Sequence, residues 1–422
     1  MPVLLVGTLD TKGVEYQFVR DLLRDAGIDT VVADAGVMGP PVFVPDISRD
    51  ELYRAAGTTA AAVLAQADRG EAIAAAARGA AALARRLHAA GRIDAALGLG
   101  GSAGTTIATA AMRALPFGLP KLMVSTLASG MVRPFVGVSD ILMMNSVVDV
   151  SGLNRISRTV LANAAHALIG MVRGRAAAAP ASTDKPLLTA SMFGVTTPCV
   201  ESARARLEAA GYEVLVFHAT GTGGQTMEQF LRDGLIAGSL DVTTTELADE
   251  LVGGVLSAGP DRLTAAAAAG VPQVIGLGAL DMVNFGPPDT VPERFRSRRF
   301  YQHNPNVTLM RTTPEENDRL GKEIAHKASA SRGQVAVYVP LRGVSALDRA
   351  GGPFWWPEAD AALFQSLRAW MGPQVRLIEL DLHVNDPAFA QAMADGLLAM
   401  LGGQAASEKA SRNADGRPHR PV

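Results

Sequence analysis

A chain of 422 residues is long enough for two or three domains with buried cores, at about 100–200 residues per domain. Hydrophobic residues make up 48% and charged residues 19%, which excludes an intrinsically disordered chain. Lys and Arg total 39 against 41 Asp and Glu, a net charge of −2, so no broad basic surface for nucleic acid or anionic lipid is expected. The single cysteine, Cys199, cannot form an intrachain disulfide, and the first residues lack the basic and long apolar segments of a signal peptide. The Ala-rich stretch from Ala55 to Ala90 is interrupted by Asp68, Arg69, Glu71, Arg78, Arg85 and Arg86 well before about 18 apolar residues accumulate. It reads as one or two helices of a cytoplasmic protein without membrane or nucleic-acid partners.

In chain order, Val3 to Val6 is a short apolar strand ending at Gly7, Val14 to Ala26 has helical spacing, and Thr30 to Ala33 is a second strand. After the Ala-rich helices, Ala95 to Leu99 forms a third strand, a helix runs to about Ala114, and Lys121 to Val124 forms a fourth. Residues 176–186, small, proline-rich and polar, read as a linker between a first domain, 1–175, and a second, 187–402. The second series has strands at Leu187 to Ser191, Glu213 to Phe217, Gln273 to Gly276, Val335 to Val339 and Val375 to Leu380. Its helices are expected at Pro198 to Ala210, from Met227, at Glu315 to Ala328 and at Ala388 to Leu401. Residues 403–422 read as a disordered tail. The alternation predicts an α/β protein of two Rossmann-like, doubly wound parallel-sheet domains, with ligands at the carboxyl ends of the strands in a cleft between the domains.

The glycine-rich loops carry the functional expectation. Gly98-Leu-Gly-Gly-Ser-Ala-Gly-Thr-Thr106 follows a strand and opens a helix, so its amides and the hydroxyls of Ser102, Thr105 and Thr106 suit a phosphate. Gly100, Gly101 and Gly104 would let the backbone approach it; the bland alternative is a tight turn. Gly7, Thr8, Asp10 and Lys12 sit at the equivalent edge after the first strand, where a capped helix start is an equal reading. Asp34 stands where such sheets often keep an acid for ribose, and Ser125, Thr126, Ser129 and Gly130 end the fourth strand on the same side. In the second domain, Thr220, Gly221, Thr222, Gly223, Gly224 and Gln225 repeat the pattern and would hold a second, anionic ligand. His218, Asp241, His303, Asp348 and His383 fall at or near predicted strand ends as candidates for proton transfer. No zinc-ligand or nucleophile-elbow spacing occurs, and no metal ligands are assigned.

Five longer stretches resemble a known family, the Tm-one-like ATP-binding proteins: Val6 to Gly13, Gly100 to Pro116, Lys121 to Thr126, Gly152 to Arg158 and His218 to Gly224. The resemblance spans roughly residues 2 to 400. It implies ATP at the Gly100 to Thr106 loop, a magnesium ion, two Rossmann-like subdomains and a homodimer. Ala103 stands where the family loop is expected to have glycine, which narrows the room for phosphate. The expected function is an ATP- and magnesium-binding protein, read first as an enzyme on a small anionic metabolite. A nucleotide-gated binding module and a phospho-sugar enzyme that does not use ATP are the alternatives.

Overall fold

The structure, a computed structural model, describes residues 2–130, 132–177 and 185–414, with 404–414 by backbone alone. The chain divides into two compact units, Met1–Ser182 and Thr183–Val422. In the first unit, β1 (Val3–Gly7), β2 (Thr30–Asp34), β3 (Ala95–Gly100), β4 (Lys121–Ser125) and β5 (Leu142–Asn145) form one parallel sheet in the order β2-β1-β3-β4-β5. Between them run α1 (Gly13–Asp25), α2 (Arg49–Ala55), α3 (Ala60–Ala65), α4 (Arg69–Ala89), α5 (Ser102–Arg113) and α6 (Arg133–Val136); α7 (Arg155–Ala177) follows. β1 and β3 are buried along their whole length because helices cover both faces, which explains their continuous apolar runs. Val3 and Leu5 pack with α1 and α7, while Leu4 and Val6 pack on the opposite face with α2, α4 and α5. The Ala-rich stretch expected to be one or two helices is three short-to-long helices with α2, broken by Gly57 at φ +77° and by Ala67 at φ +50°.

The second unit contains β6 (Leu187–Met192), α8 (Thr197–Ala209), β7 (Glu213–His218), α9 (Thr222–Arg232), β8 (Gly238–Thr243), α10 (Thr245–Val252), α11 (Ala265–Ala269) and β9 (Gln273–Gly278). It continues with β10 (Met282–Phe285), β11 (Phe300–Asn304), β12 (Val307–Arg311), α12 (Pro314–Ser329), β13 (Val335–Pro340), α13 (Pro357–Trp370), β14 (Arg376–Leu380) and α14 (Pro387–Ala414). Six strands form a parallel sheet in the order β14-β13-β9-β8-β6-β7, and β10-β12-β11 form a separate antiparallel sheet. Sequence reading anticipates neither β8 nor the small sheet. β8 reads Gly-Ser-Leu-Asp-Val-Thr, polar at alternate positions, yet every residue is buried because internal partners satisfy its polar groups. The expected tail also differs: α14 continues to Ala414, since residues 404–414 hold helix formers and no proline. Residues 178–184 of the expected linker and 415–422 of the tail lie outside the described residues.

Candidate functional site

The order β2-β1-β3-β4-β5 makes β1 and β3 neighbours whose following helices lie on opposite faces of the sheet. That is the topological switch point, where the carboxyl ends of the strands leave a crevice. A cavity of about 780 Å³ opens there, within the usual size of a small-molecule site. The β1–α1 loop and the β3–α5 turn supply polar groups to its lining. Lys12 and Gly101 are the N-cap residues of α1 and α5, and neither helix has a side-chain cap, whereas Ser48, Thr59 and Asp68 cap α2, α3 and α4. The first-turn amides of α1 and α5 are therefore available to an anion, with the positive ends of both helix dipoles behind them.

Of the residues expected to hold a nucleotide, Thr8, Asp10, Lys12, Gly100, Gly101, Ser102 and Gly104 line this cavity. Lys12 has no acidic partner among the described residues. Gly100 has φ +148°, and a Cβ on Gly104 would stand 2.9 Å from the Leu99 carbonyl, so both glycines are needed for the turn itself. Gly101 is different: the nearest atom to a Cβ there is Thr126 Oγ1 at 3.7 Å. Ala103 also lines the cavity.

Several expected contacts face inward instead. Gly7 packs beneath the tyrosine ring of Tyr16, and Ser125 and Thr105 are buried and share a hydrogen bond of 2.7 Å. Thr106 donates to the Ser102 carbonyl, and Thr126, Ser129 and Gly130 lie off the cavity lining. Asp34 corrects the ribose expectation. Its Oδ1 accepts from the amides of Leu9 and Gly36, its Oδ2 accepts from Arg49, and the residue is only 1% exposed. A carboxylate with four internal donors has nothing left for a sugar hydroxyl.

Sequence reading missed the apolar side of the cavity. Val37 and Met38 after β2, Val63 and Leu64 of α3, Ile73 of α4 and Ile107 of α5 form it, with Tyr53 of α2 beside them. Burial pushes the Tyr53 phenol up to about 12, so it stays protonated and donates to the Ala35 carbonyl at 3.2 Å. The available signal was the run Gly36-Val-Met-Gly39 at a strand end, the same position that made Asp34 a candidate. Asp68, Arg69 and Asp149 complete the charged part of the lining.

The second unit has the same strand order, so β6 and β8 flank its switch point. Here an ion-pair cluster fills the position. Arg262, fully buried, donates from Nη1 and Nη2 to Asp241 at 2.5 and 2.7 Å and from Nε to Glu246 at 2.6 Å, with Glu228 at 3.4 Å. Ser191 of β6 donates to the same Asp241 carboxylate. Burial opposes charge on Arg262, but the three carboxylates outweigh it and hold the guanidinium well above its ordinary range. Burial likewise raises Glu246, against the lowering effect of Arg262. Glu246 Oε1 accepts from the amides of Gly221 and Gly224, the donors expected for a second anionic ligand. A Cβ on Gly224 would collide with this carboxylate, and one on Gly223 with the His218 carbonyl. The glycines of Thr220 to Gln225 thus admit an internal anion, which corrects the expectation of an open loop.

The proton-transfer candidates do not form one site. Asp241 is sealed against Arg262. His218 is exposed at the end of the edge strand β7, stacked on Phe193 at 5.4 Å, and His303 is exposed at a register irregularity in the β11–β12 hairpin, not at a parallel-strand end. Asp348 and His383 do converge with Asp281 and Ser345 at the ends of β9, β13 and β14, but Asp281, Ser345 and Asp348 are fully buried. His383 Nδ1 accepts from the Asn385 amide and its Nε2 pairs with the Ser345 carbonyl, a turn-holding role. Among the described residues no group of three or more His, Cys, Asp and Glu is arranged to hold a metal ion, and no helix is long and apolar enough to cross a membrane.

Fold and site define a two-unit α/β protein with doubly wound parallel sheets, its switch-point crevice open in the first unit and filled by buried charge in the second. The family models described as Uncharacterised protein family (UPF0261), N-terminal and C-terminal domains, match residues 1–177 and 185–401, and the chain belongs to this family. A UPF0261 protein of Clostridium tetani is 50% identical over 400 residues, 94% of this chain and 98% of its own. The ToMV resistance protein Tm-1(GCR237) of Solanum lycopersicum is 45% identical over 307 residues, 72% of this chain but 41% of the tomato protein. Among solved structures, Methanocaldococcus jannaschii UDP-GlcNAc 2-epimerase in complex with UDP-GlcNAc and UDP aligns over 94% of this chain and 93% of its own, at 9% identity and a TM-score of 0.24.

Proposed function

We propose that the crevice of the first unit binds ATP. The carrying observation is that two uncapped helix N-termini, Lys12 and an apolar wall share the lining of one cavity. The phosphates lie against the amides of α1 and α5, and the base lies against the wall of Val37, Met38, Leu64 and Ile107. The residues fit magnesium only as a companion of the nucleotide. Mg²⁺ is usually held by one or two carboxylates together with substrate phosphates, and Asp149 is a cavity residue whose carboxylate accepts no hydrogen bond among the described residues. The ion would neutralise phosphate charge beside Asp10 and Asp149.

Titration calorimetry with ATP and Mg²⁺ tests this reading. Lys12→Ala and Gly101→Val each weaken binding tenfold or more, and unchanged affinity in both, with the fold intact, rejects the site. A nucleotide-gated binding module is favoured over an enzyme by one observation: Asp241 and Asp348, proposed for proton transfer, are sealed inside the second unit. Stoichiometric ATP retention fits the gated module, and steady ADP release fits an enzyme acting on a small anionic metabolite. Sugar phosphates in the same titrations address the reading without ATP. The proposal includes a cytoplasmic homodimer through the open sheet edge at β5, where Leu142 and Val147 are exposed; light scattering at micromolar concentration checks it.

A further inference from the structure

Arg49 is the first residue of α2, where a cation opposes the helix dipole and acids are preferred; Asp50 and Glu51 follow it. Its guanidinium turns away from the helix end to Asp34, with Nε at 3.1 Å and Nη2 at 2.9 Å from Oδ2. The same Nη2 donates to the Gly39 carbonyl at 2.6 Å. Arg49 does not line the cavity, but Gly39 ends the segment Ala35–Gly39 that carries Val37 and Met38 into the cavity wall.

That segment has no regular structure of its own, and its polar backbone groups are tied down from several directions. The Ala35 amide donates to the Gly7 carbonyl, and the Ala35 carbonyl accepts from Tyr53. The Gly36 amide donates to Asp34, and the amides of Met38 and Gly39 donate to Asp10 Oδ2 at 2.7 and 3.2 Å. Arg49 closes the set at Gly39. It is the group that holds the carboxyl end of the wall to α2, while Asp34 also reaches the Leu9 amide in the phosphate-side loop.

We infer that Arg49 is a positioning residue for the base end of the nucleotide site: through Asp34 and the Gly39 carbonyl it fixes the wall of Val37 and Met38, and so sets affinity for the nucleoside without touching the ligand. This rests on the ATP reading above and assigns the discrimination between a nucleotide and bare phosphate to a residue outside the cavity. A loosened wall loses its preorganised contact with the base, whereas the amides of α1 and α5 and Lys12 still meet the phosphates.

The test compares ATP with inorganic tripolyphosphate, both with Mg²⁺, by calorimetry on the full chain. Arg49→Ala is expected to weaken ATP about tenfold and leave tripolyphosphate within about twofold. Arg49→Lys keeps the charge opposite Asp34 and recovers part of the ATP affinity. Lys12→Ala weakens both ligands. Equal losses for ATP and tripolyphosphate in Arg49→Ala, or no loss of ATP in either Arg49 variant, overturn the inference. If Arg49→Ala does not fold, the ratio of ATP to tripolyphosphate affinity in Arg49→Lys decides: a fall supports the inference, and an unchanged ratio overturns it. Failure of the wild-type chain to bind ATP rejects the proposed function itself, a separate outcome from binding that is indifferent to Arg49.

Discussion

Glu246 places a carboxylate oxygen 2.7 Å from the amide of Gly221, the position a ligand anion would take at the start of α9. The same side chain binds Arg262, so one buried acid both closes the glycine loop and neutralises the arginine at the second switch point. Glu246→Ala leaves Arg262 with less compensation and two amides without their acceptor. The expected loss is about 3–5 kcal/mol of stability in the second unit, read by urea denaturation. A loss below about 1 kcal/mol would mean that the cluster tolerates an empty loop.

A second buried cluster makes stability depend on pH. Arg311 faces Asp348 and Asp360, and Asp281 lies beside them, with Asp360 at 2.6 Å and Asp348 at 3.6 Å from Arg311 Nη2. Burial pushes Asp281 up to about 7 and Asp360 up to about 8, each further raised by neighbouring carboxylates, and burial raises Asp348 as well. The folded state therefore holds protons that the unfolded chain releases near pH 4. Stability contributed by these protons is complete below about pH 4 and falls as pH rises through 7 and 8. Thermal unfolding at a series of pH values should show a Tm that falls between about pH 4 and pH 8 and levels off above, with a smaller slope in Asp360→Asn. An unchanged slope in that variant would locate the pH dependence elsewhere.

The two glycines of the β3–α5 turn should respond differently. Gly104→Ala puts a methyl group 2.9 Å from the Leu99 carbonyl and should cost about 1–3 kcal/mol of stability before any ligand is added. Gly101→Ala meets nothing nearer than 3.7 Å, so its unfolding free energy stays within about 0.5 kcal/mol of the parent. Equal destabilisation by the two would contradict the turn geometry. The contrast matters for function, because only the Gly101 position separates ligand approach from folding.

The sequence alone determined the alternation of strands and helices, the glycine turn from Gly100 to Gly104 and the family resemblance. Each is written in consecutive residues: apolar runs for strands covered on both faces, helical spacing between them, and glycines where the chain must bend tightly. What became of each polar group was decided by tertiary structure, because hydrogen-bond partners come from distant parts of the chain. Asp34 and Asp241 both sit near strand ends, yet Arg49, 15 residues on, takes up one and Arg262, 21 residues on, the other. The loops after β3 and β7 look alike in sequence. One leaves its amides without a side-chain cap and the other yields them to Glu246, 25 residues beyond Gly221, and no local pattern announces that difference. The apolar wall was equally out of reach, since Met38, Leu64 and Ile107 belong to separate elements and meet only when the sheet brings β2 beside β1 and β1 beside β3.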